Sequence, residues 1–283
     1  MEARGRVVAR RWAAARELAL VLVLYGVYSL VRSAAHGSTA DATATAERIR
    51  SVEVGWGLHV EAAASAFVAR TGWLSVPMSF WYASLHFVAT GGVLVWLLLR
   101  RPERYAGLRN ALVVATAVAL ALYLVLPTAP PRLLGAPYHD VLAETASVGW
   151  WGGPQAGVSN PYAAFPSMHA GWSLWVAVVL HRCGSRRAGR LGAAYALITA
   201  AVVVGTGNHW VLDVVGGWLV VAAAVALTDR HRPPRPSRVA GPALDARSPA
   251  VAGAAPAAVR PTFVASPPDP RVGLPDDRAA GRG

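Results

Sequence analysis

The sequence has no lysine, a single cysteine at position 183, and charged residues amounting to only 15% of its length. One cysteine excludes an internal disulfide framework and any zinc site built from thiolates, so Cys183 reads as a bystander. The lack of lysine makes all 27 basic residues arginine, which we attribute to coding bias rather than to selection for guanidinium chemistry. What fills the chain instead is apolar: 54% of its 283 residues are hydrophobic, more than a soluble domain of this size carries. A net charge of +12 raises nucleic acid as a partner, but the arginines fall in short clusters between long apolar runs. That is the pattern of membrane topology, and no nucleic acid is expected.

A spanning helix needs about 20 mostly apolar residues. Trp73 to Leu99, Asn110 to Leu126, Thr145 to Leu180 and Leu191 to Leu212 each lack Asp, Glu and Arg, and the third of these includes a loop before its helix begins near Phe165. Val214 to Thr228 follows, joined to the preceding run through Gly205, Thr206, Gly207 and Asn208 as a tight hairpin. An earlier run, Leu18 to Val31, is short and flanked by Arg16, Glu17 and Arg32, whose side chains can reach outward. With its basic lead and the small residues Ser33, Ala34 and Ala35 behind it, this run reads either as a first span or as a cleaved signal. The expectation is an all-α, multi-pass transmembrane helical bundle of about six spans.

Arginine clusters lie in the N-terminus, after the second span (Arg100, Arg101, Arg104, Arg109), after the fourth (Arg182, Arg186, Arg187, Arg190) and after the sixth (Arg230, Arg232, Arg235, Arg238). The positive-inside rule puts all of them in the cytoplasm of a cell-membrane protein. Between Glu47 and Ala69 the residues Ile49, Val52, Trp56, Val60, Ala63 and Phe67 recur at helical spacing, while Glu47, Arg50 and Glu61 point elsewhere. This predicts an amphipathic helix on the outer leaflet or a packing helix in an extracytoplasmic loop. From Arg230 the chain is rich in Pro, Ala, Gly and Arg without apolar periodicity, as in a disordered cytoplasmic tail. Three regions result: 1–72 with the basic N-terminus, first span and amphipathic segment, 73–228 as the catalytic bundle, and 229–283 as the tail.

With that topology, three separate segments bring their unusual polar residues to the same outer face. Pro127, Thr128, Ala129, Pro130, Pro131, Arg132 ends the third span, the prolines stopping the helix and stiffening the chain that carries Arg132. Phe165, Pro166, Ser167, Met168, His169 opens the fourth, placing a hydroxyl and an imidazole beside free amides at a helix start. In Asn208, His209, Trp210, Val211, Leu212, Asp213, which opens the sixth, a spacing of four puts His209 and Asp213 on one helical face.

Pro166, Ser167, Met168 and His169, followed about forty residues later by His209 and Asp213, resemble the type 2 phosphatidic acid phosphatase (PAP2) superfamily. Within it, the segment from Pro127 to Arg132 and the lead-in Asn160, Pro161, Tyr162 look like the branch containing inositol phosphorylceramide synthases and their bacterial relatives. The resemblance, from Trp73 to Leu227, implies that His209 is a nucleophile forming a phosphohistidine, that Asp213 orients and stabilises its imidazole, and that His169 protonates the leaving oxygen. It implies that Arg132 and Ser167 hold phosphoryl oxygens. The chain departs from the family's usual pattern in two places. No lysine and Arg-Pro pair stand in the first motif, where Arg132 substitutes by position, and Val202 and Val203 occupy the places of a Ser-Arg pair before the last histidine. Asn208 and Thr206 are the candidates to supply the missing phosphate ligands.

The chemistry asks for these residue types independently of any family. An imidazole attacks phosphorus only through an unprotonated nitrogen, and a carboxylate on its other nitrogen fixes the tautomer and steadies the cation formed. A second histidine can give a proton to the departing alkoxide and accept one from the incoming hydroxyl. Developing phosphoryl charge calls for a guanidinium and helix-terminal amides. The scheme needs no cofactor and no metal. Its substrate is a lipid-borne phosphate, and its acceptor is water in a phosphatase or an alcohol such as inositol in a phosphotransferase. Other readings are a capping pair or two-ligand metal site at His209 and Asp213, a headgroup anchor at Arg132, and an inactive scaffold or transporter keeping the same bundle. His86, within the second span and one turn from Tyr82, reads as a packed, hydrogen-bonded histidine unless its depth gives it a function.

Overall fold

A computed structural model describes residues 38–149, 151 and 160–230, together with isolated helical positions between 16 and 27. The run from Leu18 to Val31, its reading as a signal, and the tail beyond Arg230 lie largely or wholly outside those residues. The described chain is helical, with one isolated parallel bridge between Thr128 and Ala163. Its helices are α1 (Thr39–Gly55), α2 (Glu61–Arg70), α3 (Gly72–Phe80), α4 (His86–Arg100), α5 (Pro102–Val125), α6 (Val141–Glu144), α7 (Met168–Cys183), α8 (Arg186–Gly205) and α9 (Val211–Arg230). A π-helical turn, Trp81–Leu85, joins α3 to α4 without a break.

Four helical stretches are long and apolar enough to cross a membrane: Gly72–Arg100, Pro102–Val125, Arg186–Gly205 and Val211–Thr228. The protein is a multi-pass membrane protein. Helix α5 starts eight residues ahead of the apolar run Asn110 to Leu126, because Pro102 sits at its first turn, where a missing N–H costs nothing, with Glu103 beside it. Helix α7 begins at Met168, three residues later than expected, since Ser167 caps it by accepting the Ala170 amide. At 16 residues, or about 24 Å, it is shorter than a full span and lies in the middle of the bundle. Trp175 and Val179 of α7 are fully buried against Leu97, Leu108, Leu112 and Val221 from α4, α5 and α9. The Trp175 indole donates to the Leu108 carbonyl at 2.9 Å. Leu99, Leu191, Leu197 and Leu219 face outward, as lipid requires. The single cysteine, Cys183, is part of the core.

The segment from Glu47 to Ala69 differs from its expected single amphipathic helix. It breaks between Gly55 and Glu61, where Gly57 has a positive φ of 69°. Val52, Trp56, Val60 and Phe67 stay exposed, while Glu53, Glu61, Ser65 and Val68 are the buried residues. The carboxylates turn inward because α1 and α2 meet the start of α9, where backbone donors await them.

The helices alternate in direction. At one end Arg101 reaches the Cys183 carbonyl at 3.2 Å, joining the start of α5 to the end of α7. At the other end the segment after α5, the approach to α7 and the hairpin after α8 are tied by backbone bonds. Thr128 N donates to Tyr162 O at 2.8 Å, Ala164 N to Thr128 O at 3.2 Å, Arg132 N to Gly207 O at 3.0 Å and Ser167 N to Asp213 O at 2.9 Å. Helices α7 and α9 approach closely where both have glycine. A methyl group on Gly217 would collide with the Ser167 carbonyl oxygen.

Candidate active site

The hairpin from α8 to α9 turns at Gly207, whose φ of 72° and proximity to the His139 carbonyl leave no room for a side chain. The amides of Asn208 and His209 then both return to the Val203 carbonyl at 3.1 Å. This places the buried His209 ring with Nδ1 3.0 Å from the Ala164 carbonyl oxygen and 3.4 Å from Asp213 Oδ2. A carbonyl can only accept, so Nδ1 carries the hydrogen and the lone pair of the neutral ring resides on Nε2. Asp213 is fully buried. Its Oδ2 also accepts the Trp210 amide at 2.8 Å, and its own backbone carbonyl takes the Ser167 amide. The residue expected to orient His209 is thus tied through its side chain to the turn that carries His209 and through its backbone to the start of α7.

His169, in the first turn of α7, lies with its ring centroid 5.8 Å from that of His209. Two residues of the adjoining helix hold it. The Tyr82 ring stacks on it at 4.2 Å with an interplanar angle of 18°, and the His86 ring lies tilted at 4.0 Å. Tyr82 comes from the π turn and His86 from the residue just after it, in a local widening of the helix of the kind that often marks functional positions. His86 is buried and its Nδ1 has no hydrogen-bond partner among the described residues, so the expected hydrogen-bonded packing is only half met.

Arg132 sits in the short 3-10 turn Pro131–Leu134, behind two prolines. Its Nε donates to Asn208 Oδ1 at 2.8 Å, and its Nη1 to Asp140 Oδ2 at 3.2 Å. Asn208 in turn donates through Nδ2 to the Thr206 hydroxyl at 3.0 Å and the Thr206 carbonyl at 3.2 Å. Both ends of this amide are therefore occupied by protein, and Asn208 aims Arg132. Ser167 is fully buried. Because its oxygen accepts the Ala170 amide at 3.3 Å, its hydroxyl hydrogen remains available to donate.

The structure therefore gathers His209, His169, Asp213, Ser167, Arg132 and Asn208 at one end of the bundle. Sequence reasoning missed the Ala164 carbonyl, which has no residue-type signal, and Asp140, the carboxylate closest along the chain to Arg132. It also missed Tyr82 as the stacking partner of His169, although Tyr82 and His86 share one helical face. Among the described residues no group of three or more His, Cys, Asp or Glu side chains is placed to hold a metal ion.

A multi-pass helical membrane protein with an oriented imidazole, a second imidazole opposite it and a guanidinium alongside has the parts of a phosphoryl-transfer site. The PAP2_3 family, described as PAP2 superfamily, matches residues 47–227, and the chain belongs to that superfamily. Membership implies phosphatase or phosphotransferase activity on phosphate esters. No curated protein and no solved structure matches the chain.

Proposed function

We propose that this protein transfers a phosphoryl group from a lipid-borne phosphate ester or pyrophosphate through a covalent intermediate on His209. The observation that carries the reading is the double hold on His209 Nδ1 by Ala164 and Asp213, which leaves Nε2 as the nucleophilic nitrogen. Nε2 attacks phosphorus, the bond from phosphorus to the leaving oxygen breaks, and His169 gives that oxygen its proton. Asp213 and the Ala164 carbonyl steady the positive charge on the phosphorylated ring. An incoming hydroxyl then passes its proton to His169, bonds to phosphorus and releases Nε2. The outer edge of Arg132, with Ser167 and the first amides of α7, draws off charge from the phosphoryl oxygens.

The arginine distribution supports a site on the extracytoplasmic side. The acceptor is water or an alcohol such as inositol, since the same two steps serve both. One experiment tests donor, acceptor and face together. Right-side-out vesicles are given lipid phosphates with and without inositol, products are identified by mass spectrometry, and phosphoenzyme is trapped by acid-sparing quench. The expected result is a base-stable phosphohistidine and product without permeabilisation. Turnover without any phosphoenzyme would sink the covalent mechanism, activity only after permeabilisation would reverse the orientation, and free phosphate regardless of inositol would make the protein a phosphatase.

A further inference from the structure

Two fully buried carboxylates, Glu53 and Glu61, lie outside the motifs that define the site. They come from α1 and α2, on either side of the break at Trp56 to Val60, and both point at the start of α9. Glu61 Oε1 accepts the Val211 amide at 2.9 Å, and Glu53 Oε1 accepts the Leu212 amide at 2.7 Å. Asp213 Oδ2 has already turned back to the Trp210 amide. Three successive amides at the entry to the helix that carries Asp213 therefore end on three different carboxylates.

A helix N-terminus attracts negative charge, but its equivalent of about half a positive charge does not neutralise three buried carboxylates. Glu53 Oε2, Glu61 Oε2 and Asp213 Oδ1 are all buried without a hydrogen-bond partner among the described residues. Because the amides they accept belong to adjacent residues, Val211 and Leu212, the Glu61 and Glu53 carboxyls lie side by side. One proton held between the two glutamates satisfies both orphaned oxygens and removes one charge. Asp213, which faces an imidazole, remains the carboxylate suited to stay ionised.

We infer that Glu53 and Glu61 form a proton-sharing carboxyl pair that clamps the start of α9 and acts as a positioning device for His209 and Asp213. Val211 and Leu212 lie between those two residues, so any slip of this turn moves the His209 ring relative to Asp213. Burial, reinforced by Glu61 and Asp213, pushes the Glu53 carboxyl up to about 8, while the bond from Leu212 opposes that rise. Tyr138 lies near the pair and donates to or accepts from His59 at 2.7 Å, and Arg50 of α1 is engaged with Glu47 at 2.7 Å. A second ionisation of the pair above about pH 8 puts like charges side by side and loosens the clamp.

The inference rests on the proposed function for its catalytic consequence but not for the shared proton, and the test separates the two. Detergent-purified Glu53→Gln and Glu61→Gln keep an oxygen for the helix amide and cannot ionise. Both should hold kcat within about threefold of wild type at neutral pH and lose the added alkaline fall in kcat expected of wild type above about pH 8. Glu53→Ala should lower kcat roughly 10- to 100-fold with KM changed less than about threefold, because substrate contacts remain while the nucleophile is misplaced. Infrared spectra supply a readout independent of turnover. Wild type should show a protonated carboxyl band at neutral pH that fades as pH rises through about 8, and Glu53→Gln should lack it. Absence of that band in wild type, or a Glu53→Ala variant with wild-type kcat and pH profile, overturns the inference. A band that behaves as expected in a protein that hydrolyses no phosphate ester would leave the pair standing and sink the proposed function instead.

Discussion

Toward the arginine-rich end of the bundle, the side chains of Leu97, Leu108 and Val179 are held by shape and apolar contact. At the opposite end, Arg132, Asn208, His209 and Asp213 each depend on a specific donor or acceptor, several of them far away along the chain. The first region tolerates exchange among side chains of similar volume, since dispersion and packing have little directional demand. The second tolerates little, because a buried polar atom without its partner costs about 1–3 kcal/mol and a misdirected one loses its chemistry. Substitutions in the polar end should therefore alter rate far more than stability alone explains, and substitutions in the apolar end should alter stability with little change in rate.

The hardest test of that contrast is His209→Ala. Turnover and trapped phosphoenzyme should both vanish while the protein still folds in detergent, and retention of more than a trace of activity would remove His209 from the nucleophile's role. His169→Ala should lose roughly 10²- to 10⁴-fold with lipid esters, whose alkoxide then departs unprotonated. A nitrophenyl ester, which needs no proton to leave, should recover most of that loss in His169→Ala and none of it in His209→Ala. Equal rescue of both variants would show that the two histidines do not divide the work in this way.

A smaller effect sharpens the comparison. Asn208→Ala removes the acceptor at 2.8 Å that opposes the pull of Asp140 on Arg132. The guanidinium should swing toward Asp140, raising KM about tenfold with kcat lowered less, as expected for weakened phosphate binding. A selective fall in kcat would place Asn208 at the reacting atoms instead. Smallest in rate is Val179→Ala, in the fully buried centre of α7. It should cost roughly 1–3 kcal/mol in unfolding by lost packing and leave kcat within about twofold. A large drop in kcat would show that the two ends are mechanically coupled and break the distinction.

Much of this architecture was legible from local patterns. The apolar runs gave four of the six expected spans and Gly205 to Asn208 gave the hairpin, because helix geometry repeats over a few residues and leaves its period in the chain, whereas His209 comes beside Asp213 from the turn two residues ahead of α9 and not from a shared helical face. The segment from Glu47 to Ala69 was legible only in part: its apolar periodicity is real and Val52, Trp56 and Phe67 face outward, where a helix on the outer leaflet would carry them, but the break after Gly55 and the inward-facing carboxylates left no period to read. Periodicity separates two faces of a helix without saying which one meets protein.

The sequence alone determined four membrane-spanning helices and the residue types gathered at the site, since each follows from composition or short-range spacing, and its motifs carried the resemblance to the superfamily. Only the tertiary structure decided what those residues touch. The Ala164 carbonyl selects the His209 tautomer across 45 residues, Asn208 meets Arg132 across 76, and Glu61 and Glu53 reach α9 across 150 and 159. A hydrogen bond needs a donor and acceptor aligned within a few tenths of an ångström. For residues so far apart along the chain, that alignment exists only once the helices between them have packed.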